Sequence, residues 1–257
     1  MHEVFLDSII LQEDLEKTVQ VLQGYCNMAP ANLFRRKTYW QGPKTRNPKG
    51  LNLEHDIVKL AAPGKKLLWK SLHEYLSKQS YVLTVTYNID SETHAAKDGE
   101  GDECPINLDQ LPGTLRWTDV PEPGVNKLVY SRLFIAIEDE TNLCEVLNSS
   151  NYRMACEIVE EVQRFVHDHV MFELYRILIL PLQNEHSRIK IPPFHDLTLF
   201  DSEDKWILRA NVVVLDGMDQ AQMTEGVKLM AKIKSDFEGF IDFSLRDRLI
   251  HDTRIKF

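Results

Sequence analysis

The sequence predicts an α+β protein, an antiparallel β-barrel of about eight or more strands flanked by a few helices. Three observations lead there. First, YRMACEIVEEVQRFVHDHVMFELYRILIL, residues 152–180, reads as two long strands joined at His167-Asp168. Tyr152, Met154, Cys156 and Ile158 recur every second residue, the period of a strand with one buried face, and Val170, Phe172 and Leu174 continue the pattern beyond the turn. Strands joined so tightly pair antiparallel. A lone hairpin is marginal in water, so other strands must join it. Second, strand-like runs recur along the whole chain. Third, they do not alternate strictly with helices, which disfavours a doubly wound parallel sheet.

In chain order, Val4–Leu11 is short, apolar and β-branched and reads as the first strand. Asp14–Met28 reads as a helix, because Leu15, Val19, Leu22 and Cys26 form one stripe; Ala29-Pro30 ends it. Leu33–Gln41 reads as a strand broken by Gly42-Pro43, and 44–52 as a flexible insertion. Leu53–Ala61 reads as a short strand and Lys65–Lys78 as a helix with Leu68, Leu72 and either Tyr75 or Leu76 on one side. Tyr81–Ile89 alternates cleanly as a strand. Residues 91–112 are poor in apolar side chains, carry DGEGDE and read as a flexible acidic insertion. Gly113–Asp119 and Lys127–Ile137 read as strands, and Glu140–Asn148 as a short helix leading into the hairpin. Gln183–Asp201 reads mostly as loop and Lys205–Leu215 as a strong strand. Asp219 is placed to cap a last helix, Gln220–Phe237, with Gln222 completing a capping box and Met223, Val227, Met230, Ile233 and Phe237 as its apolar stripe. Ser244–Phe257 reads as ending in one more strand. The whole of 1–257 is expected to be a single barrel domain.

Composition narrows the function. The chain has 257 residues, a net charge of −9 and 43% hydrophobic residues, so general binding to nucleic-acid phosphates is not favoured. Four cysteines, Cys26, Cys104, Cys144 and Cys156, lack metal spacing and read as reduced, buried thiols. The start MHEVFLDSIIL has neither a basic n-region nor a small-residue cleavage site, and no apolar run approaches the ~20 residues that span a bilayer. A soluble intracellular protein is expected. Arg35–Lys49 holds six basic residues and no acidic one. It reads as the solvated face of a strand edge and loop, or else as a patch for phosphate or an acidic partner.

Catalytic signatures are thin. The chain has no GxGxxG, GxxxxGKS/T, GxSxG or HExxH. His167 and His169 form one HxH at the hairpin turn, too few ligands for zinc. Tunnel phosphatases and cyclases require a sharper test, since they place ExExK on one inward strand face to hold a divalent metal and triphosphate. Here Glu138-Asp139-Glu140 is followed by Asn142 where Lys is required, Asp201-Ser202-Glu203-Asp204-Lys205 lies in a turn, and Val4–Leu11 offers only Asp7. Catalytic, cofactor and metal residues are therefore expected to be absent. The competing reading is a metal-dependent tunnel triphosphatase or polyphosphate-binding relative built on Asp7, Glu138 and Glu160. The lumen is expected to be plugged or chemically inert. Carboxylates facing lysines or arginines across a wet passage would instead speak for a catalyst.

MHEVFL, VLQGYCNMAP, FRRKTYWQGP, the hairpin above and KWILRANVVVLDGMDQAQMTEGVKLMAKIKSDFEGFIDF together resemble the Mediator complex subunit 18 family in its fungal form. The resemblance spans most of the chain and rests on apolar and aromatic positions. It implies a barrel related in fold to the tunnel phosphatases but without their catalytic groups. It also implies pairing with Mediator subunit 20, docking on the C-terminal helix of Mediator subunit 8, contact with the RNA polymerase II machinery and a nuclear location. No motif assigns partner-contact residues, and no membrane or sequence-specific nucleic-acid partner is expected.

Overall fold

A computed structural model describes residues 1–89, 108–123, 128–180 and 197–256. The elements are β1 (His2–Ile10), α1 (Leu15–Cys26), β2 (Ala31–Gln41), α2 (Asp56–Leu60), α3 (Pro63–Lys78), β3 (Val82–Ile89), β4 (Gly113–Thr118), β5 (Tyr130–Glu140), α4 (Leu143–Ser149), β6 (Arg153–His167), β7 (Val170–Ile179), β8 (Thr198–Leu199), β9 (Trp206–Val214) and α5 (Gln220–Asp236). Eight strands run in the order β6-β2-β3-β4-β5-β1-β9-β7, and β6 pairs with β7 to close the barrel. Every pairing is antiparallel. The short β8 pairs with the far end of β7, beyond the reach of β9.

The hairpin that anchors the sequence reading is the seam of this closure. β6 and β7 pair from His167↔Val170 to Val159↔Leu178, and Asp168 turns the chain at φ 51°. Asn, Asp and Gly tolerate that left-handed conformation best. Strand alternation then sorts each wall into two faces. Outward residues lie under helices. On one side α1 and α5 cover β1, β6, β7 and β9, where Leu22, Met230 and Ile233 meet Val4, Leu6, Phe172 and Leu208. On the other side α2, α3 and α4 cover β2–β5, where Trp69, Leu72 and Val146 meet Trp40, Val85, Trp117 and Ile137. The apolar cores thus lie outside the barrel.

Several expectations are corrected. Leu53–Ala61 is not a strand: Asp56–Leu60 is helical, because Leu53, Ile57 and Ala61 at four-residue spacing pack with buried Val58 on the second core. The C-terminal segment does not add a strand. It forms a 3-10 turn, Arg248–His251, started by the Asp247 carboxylate accepting from the Leu249 N–H, and touches the sheet at one bridge, Tyr81↔Arg254. Closure through β6 and β7 leaves no free barrel edge for it. Cys156 is exposed, whereas Cys26 and Cys144 are buried; Cys104 lies outside the described residues. Asp219 caps α5 by accepting from the N–H groups of Ala221 and Gln222, but the Gln222 side chain donates to the Asp219 carboxylate and not back to its backbone.

Within 44–52, Leu51 is buried in the second core and Asn52 N–H donates to Ser150 Oγ. Gly50 sits at φ 69°, and a Cβ there would lie 2.6 Å from Ser77 Oγ, so only glycine fits without displacement. Of the acidic insertion, 91–107 lies outside the described residues. Leu108 is buried, and the Asp109 carboxylate accepts from Cys144 N–H at the start of α4, which ties this end down.

Candidate functional site

A cavity of about 440 Å³ is lined by residues from all eight barrel strands, among them Glu3, Arg35, Thr84, Arg116, Glu138, Glu160, Glu173 and Arg209. It is the lumen, and it is not plugged: carboxylates face arginines and a lysine across it. Its wall is built from opposite charges set across neighbouring strands. Arg35 lies opposite Glu160, Arg164 opposite Glu173, and Arg209 opposite Asp7 and Glu173. Glu3 lies opposite Arg132.

These groups form three clusters. In the largest, Arg164 donates to Glu173 at 2.8 Å, Arg35 bridges Glu173 at 2.9 Å and Glu160 at 3.0 Å, and Lys37 reaches Glu160 at 3.0 Å. In the second, Glu3 receives both Arg116 and Arg132. In the third, Arg209 grips Asp7 through two N–H···O bonds of 2.7 and 2.8 Å. Such bidentate pairs are among the stronger polar contacts. The guanidinium planes of Arg132 and Arg209 also sit 4.6 and 5.0 Å from the Phe5 ring.

The electrostatics follow from burial against pairing. Burial alone would raise the Glu3 carboxyl, but the charges of Arg116, Arg132 and Arg209 outweigh it and hold it at about 2. Glu173 is held low in the same way, by Arg35 and Arg164 against its burial. Loss of water lowers the Lys37 ammonium, with Glu160 opposing and Arg35 adding to the shift. Beside Asp7, burial draws the His251 imidazole down to about 4. His251 packs edge-on against Phe5 and Tyr130, and the C-terminal segment around it crosses one end of the barrel.

Of the sequence candidates for chemistry, Asp7 and Glu160 do face the lumen, each held by arginine, and Glu138 stands exposed at its rim. Among the described residues no three His, Cys, Asp or Glu side chains gather as a metal site. Asp201–Lys205 is a turn outside the barrel, with Lys205 paired to Glu203. His167 packs at a tilt against Tyr25, with ring centroids 4.7 Å apart. The first half of the basic segment is not a solvated strand edge. β2 is internal to the sheet, Arg35 and Lys37 turn into the lumen, and Arg36 pairs with Glu157 on the other face. Only Lys44, Arg46 and Lys49 stay exposed. Sequence reasoning missed Glu3, Arg116, Arg132, Arg164 and Glu173, whose partners are up to 138 residues apart. Their signal was an isolated charge on the strand face opposite the apolar one, as with Glu3 beside Val4 and Glu173 beside Phe172.

The family model described as Med18 protein matches residues 2–254. The chain belongs to the Med18 family. Relatives named Mediator of RNA polymerase II transcription subunit 18 agree along their whole length. The protein of Aspergillus clavatus is 27% identical over 281 residues, and those of Aspergillus oryzae and Yarrowia lipolytica are each 22% identical over 275 and 258; in all three comparisons both chains are covered in full. A chain in the structure of the Schizosaccharomyces pombe Mediator head module has the same fold, with a TM-score of 0.66 and 17% identity over 94% of this chain and 97% of that one. The overall fold of this Med18-family chain is thus a shared architecture.

Proposed function

We propose that this chain is a non-catalytic structural subunit of the Mediator head, acting in the nucleus as a coactivator of RNA polymerase II transcription. Residues 1–257 act as one domain, pairing with Mediator subunit 20 and docking on the C-terminal helix of Mediator subunit 8. The observation that carries this reading is the family match over 2–254. The site chemistry agrees with it, since the lumenal carboxylates are engaged by arginines instead of converging on one point.

The tryptophans do not supply an exposed partner face. Trp40, Trp69, Trp117 and Trp206 are all 2% exposed or less. Exposed apolar side chains gather instead where β1, β7, β8 and β9 end, with Ile9 at 40% and Phe200 at 65% lining one groove. Affinity purification of the tagged full chain from nuclear extract tests the reading. Subunits 8 and 20 are expected to co-purify, and the chain expressed alone is expected to gain solubility on co-expression with subunit 20. Recovery as a free, stable monomer overturns it.

A second reading, a metal-dependent triphosphatase, is favoured by the placement of Asp7 and Glu160 in the lumen. Phosphate release from a triphosphate substrate with magnesium or manganese separates the two.

A further inference from the structure

One outer surface is charged against the rest of the molecule. Residues 44–78 carry eight basic and three acidic side chains, in a chain of net charge −9. They form the basic loop, α2 and α3 on the outer side of β2–β5. Both ends of the loop are tied down beside the second half of α3. Ser80 Oγ donates to Pro43 O at 2.6 Å, and His73 Nδ1 lies 2.9 Å from Leu51 O. Local pairing neutralises only part of the charge. Lys59 meets Glu54 at 2.9 Å and Lys65 meets Glu140 at 3.0 Å. Lys44, Arg46, Lys49, Lys66, Lys70 and Lys78 are exposed and enter no ion pair among the described residues.

The same surface exposes apolar side chains. α3 buries Trp69, Leu72 and Leu76 on its inner side, and a helix so packed is expected to turn polar residues outward. Its outward stripe nevertheless includes Leu67, which is 67% exposed, and Leu60 at the end of α2 is 84% exposed. Exposed Ala62 and Pro63 lie between them in the chain. α3 has no acid in its first turn and no side-chain cap, so the positive end of its dipole adds to the field of Lys66 and Lys70. Apolar groups bordered by unpaired cations suit a partner that is acidic and apolar together. A nucleic-acid backbone suits this surface less well. Its phosphates gain nothing from exposed leucines, and they are repelled by exposed Glu54, Asp56 and Glu74 in the same stretch.

We propose that the outer face of α2 and α3, with the loop beside them, docks an acidic segment of another protein that carries apolar side chains. Its carboxylates meet Lys66, Lys70 and the loop cations, and its apolar groups cover Leu60 and Leu67. This inference stands apart from the assembly role, because it is read by direct titration of the purified full chain.

The test is fluorescence anisotropy of the full chain with three labelled probes: a peptide of Glu-Leu-Leu-Asp repeats, the same peptide with serine for leucine, and a single-stranded DNA oligonucleotide of equal length. The leucine-bearing peptide is expected to bind tightest, and its affinity to fall as salt rises. The serine peptide should bind about tenfold more weakly. Lys66→Glu/Lys70→Glu should weaken binding of the leucine peptide by about tenfold, and Leu60→Ser/Leu67→Ser by about as much. All four positions are exposed, so the unfolding temperature should stay that of the parent. Lys228→Glu/Lys232→Glu makes the same charge change at exposed positions of α5 and should bind as the parent does. Absence of binding, equal binding of the leucine and serine peptides, or an equal loss in the α5 variant overturns the proposal. So does DNA that binds more tightly than the peptide and is released by Lys66→Glu/Lys70→Glu, which would make the surface a phosphate-backbone contact.

Discussion

The two faces of the barrel wall solve the same problem in opposite ways. The outer face places Val85, Trp117, Ile137 and Leu208 beneath helices and is held by apolar burial. The inner face places Glu3, Arg35, Glu160 and Arg209 around water-accessible space and is held by paired charge. Apolar burial is additive and tolerant, whereas a charge network is sensitive to each of its members. The difference explains why the chain contains so many alternating strands without a large internal core. It also shows how a closed barrel can hold carboxylates and cations with no metal-ligand cluster among the described residues, because Glu3, Asp7, Glu160 and Glu173 each pair with a cation on a neighbouring strand.

The comparison can be broken from either side. Trp117 is fully buried against Tyr75, with ring centroids 4.5 Å apart. Trp117→Ala should cost about 4 kcal/mol in urea unfolding, and a cost under ~1 kcal/mol would mean that the outer layer is loosely packed. Glu3→Gln leaves Arg116 and Arg132 without their carboxylate. It should cost about 3 kcal/mol, and a neutral result would show that solvent, not Glu3, balances the inner wall. Asp219→Ala, which removes the cap of α5, should cost about 1 kcal/mol and leave both walls intact by near-ultraviolet dichroism.

Acid sharpens the contrast through groups of the inner wall and the segment that closes it. His251 titrates at 6.5 when exposed and at about 4 in the fold. Between those values the unfolded chain binds a proton that the folded chain does not. Stability is thus full above pH 6.5 and falls as the pH drops toward 4. Glu3 adds a second loss from about pH 4.5 down to its folded value of about 2. His251→Gln should flatten the unfolding temperature between pH 6.5 and 4 while leaving the lower loss in place. An unchanged slope would remove His251 from the account.

Much of the fold could be read from the sequence because side-chain alternation is a local signal. The hairpin of β6 and β7, the strand Val82–Ile89 and the helix closed by Met230 and Ile233 all carry it within one element. Leu53–Ala61 misled because a short run with Ile57 and Val58 side by side looks β-branched before its four-residue spacing is weighed. Ser244–Phe257 misled because extended residues pair only where an edge is free. The lumen was hardest to read. Asp7 and Glu160 could be named from sequence, but Glu3 finds Arg116 across 113 residues, and only barrel closure reveals that strand-alternate charges face each other.

The most direct test of a barrel whose interior is structural and whose exterior assembles is phosphate release from triphosphate substrates by the purified full chain with magnesium or manganese. Release equal to the protein-free blank, from a preparation that still co-purifies with head subunits when returned to extract, is the expected result. Metal-dependent release that disappears in Glu160→Gln would contradict it and make the lumen an active site.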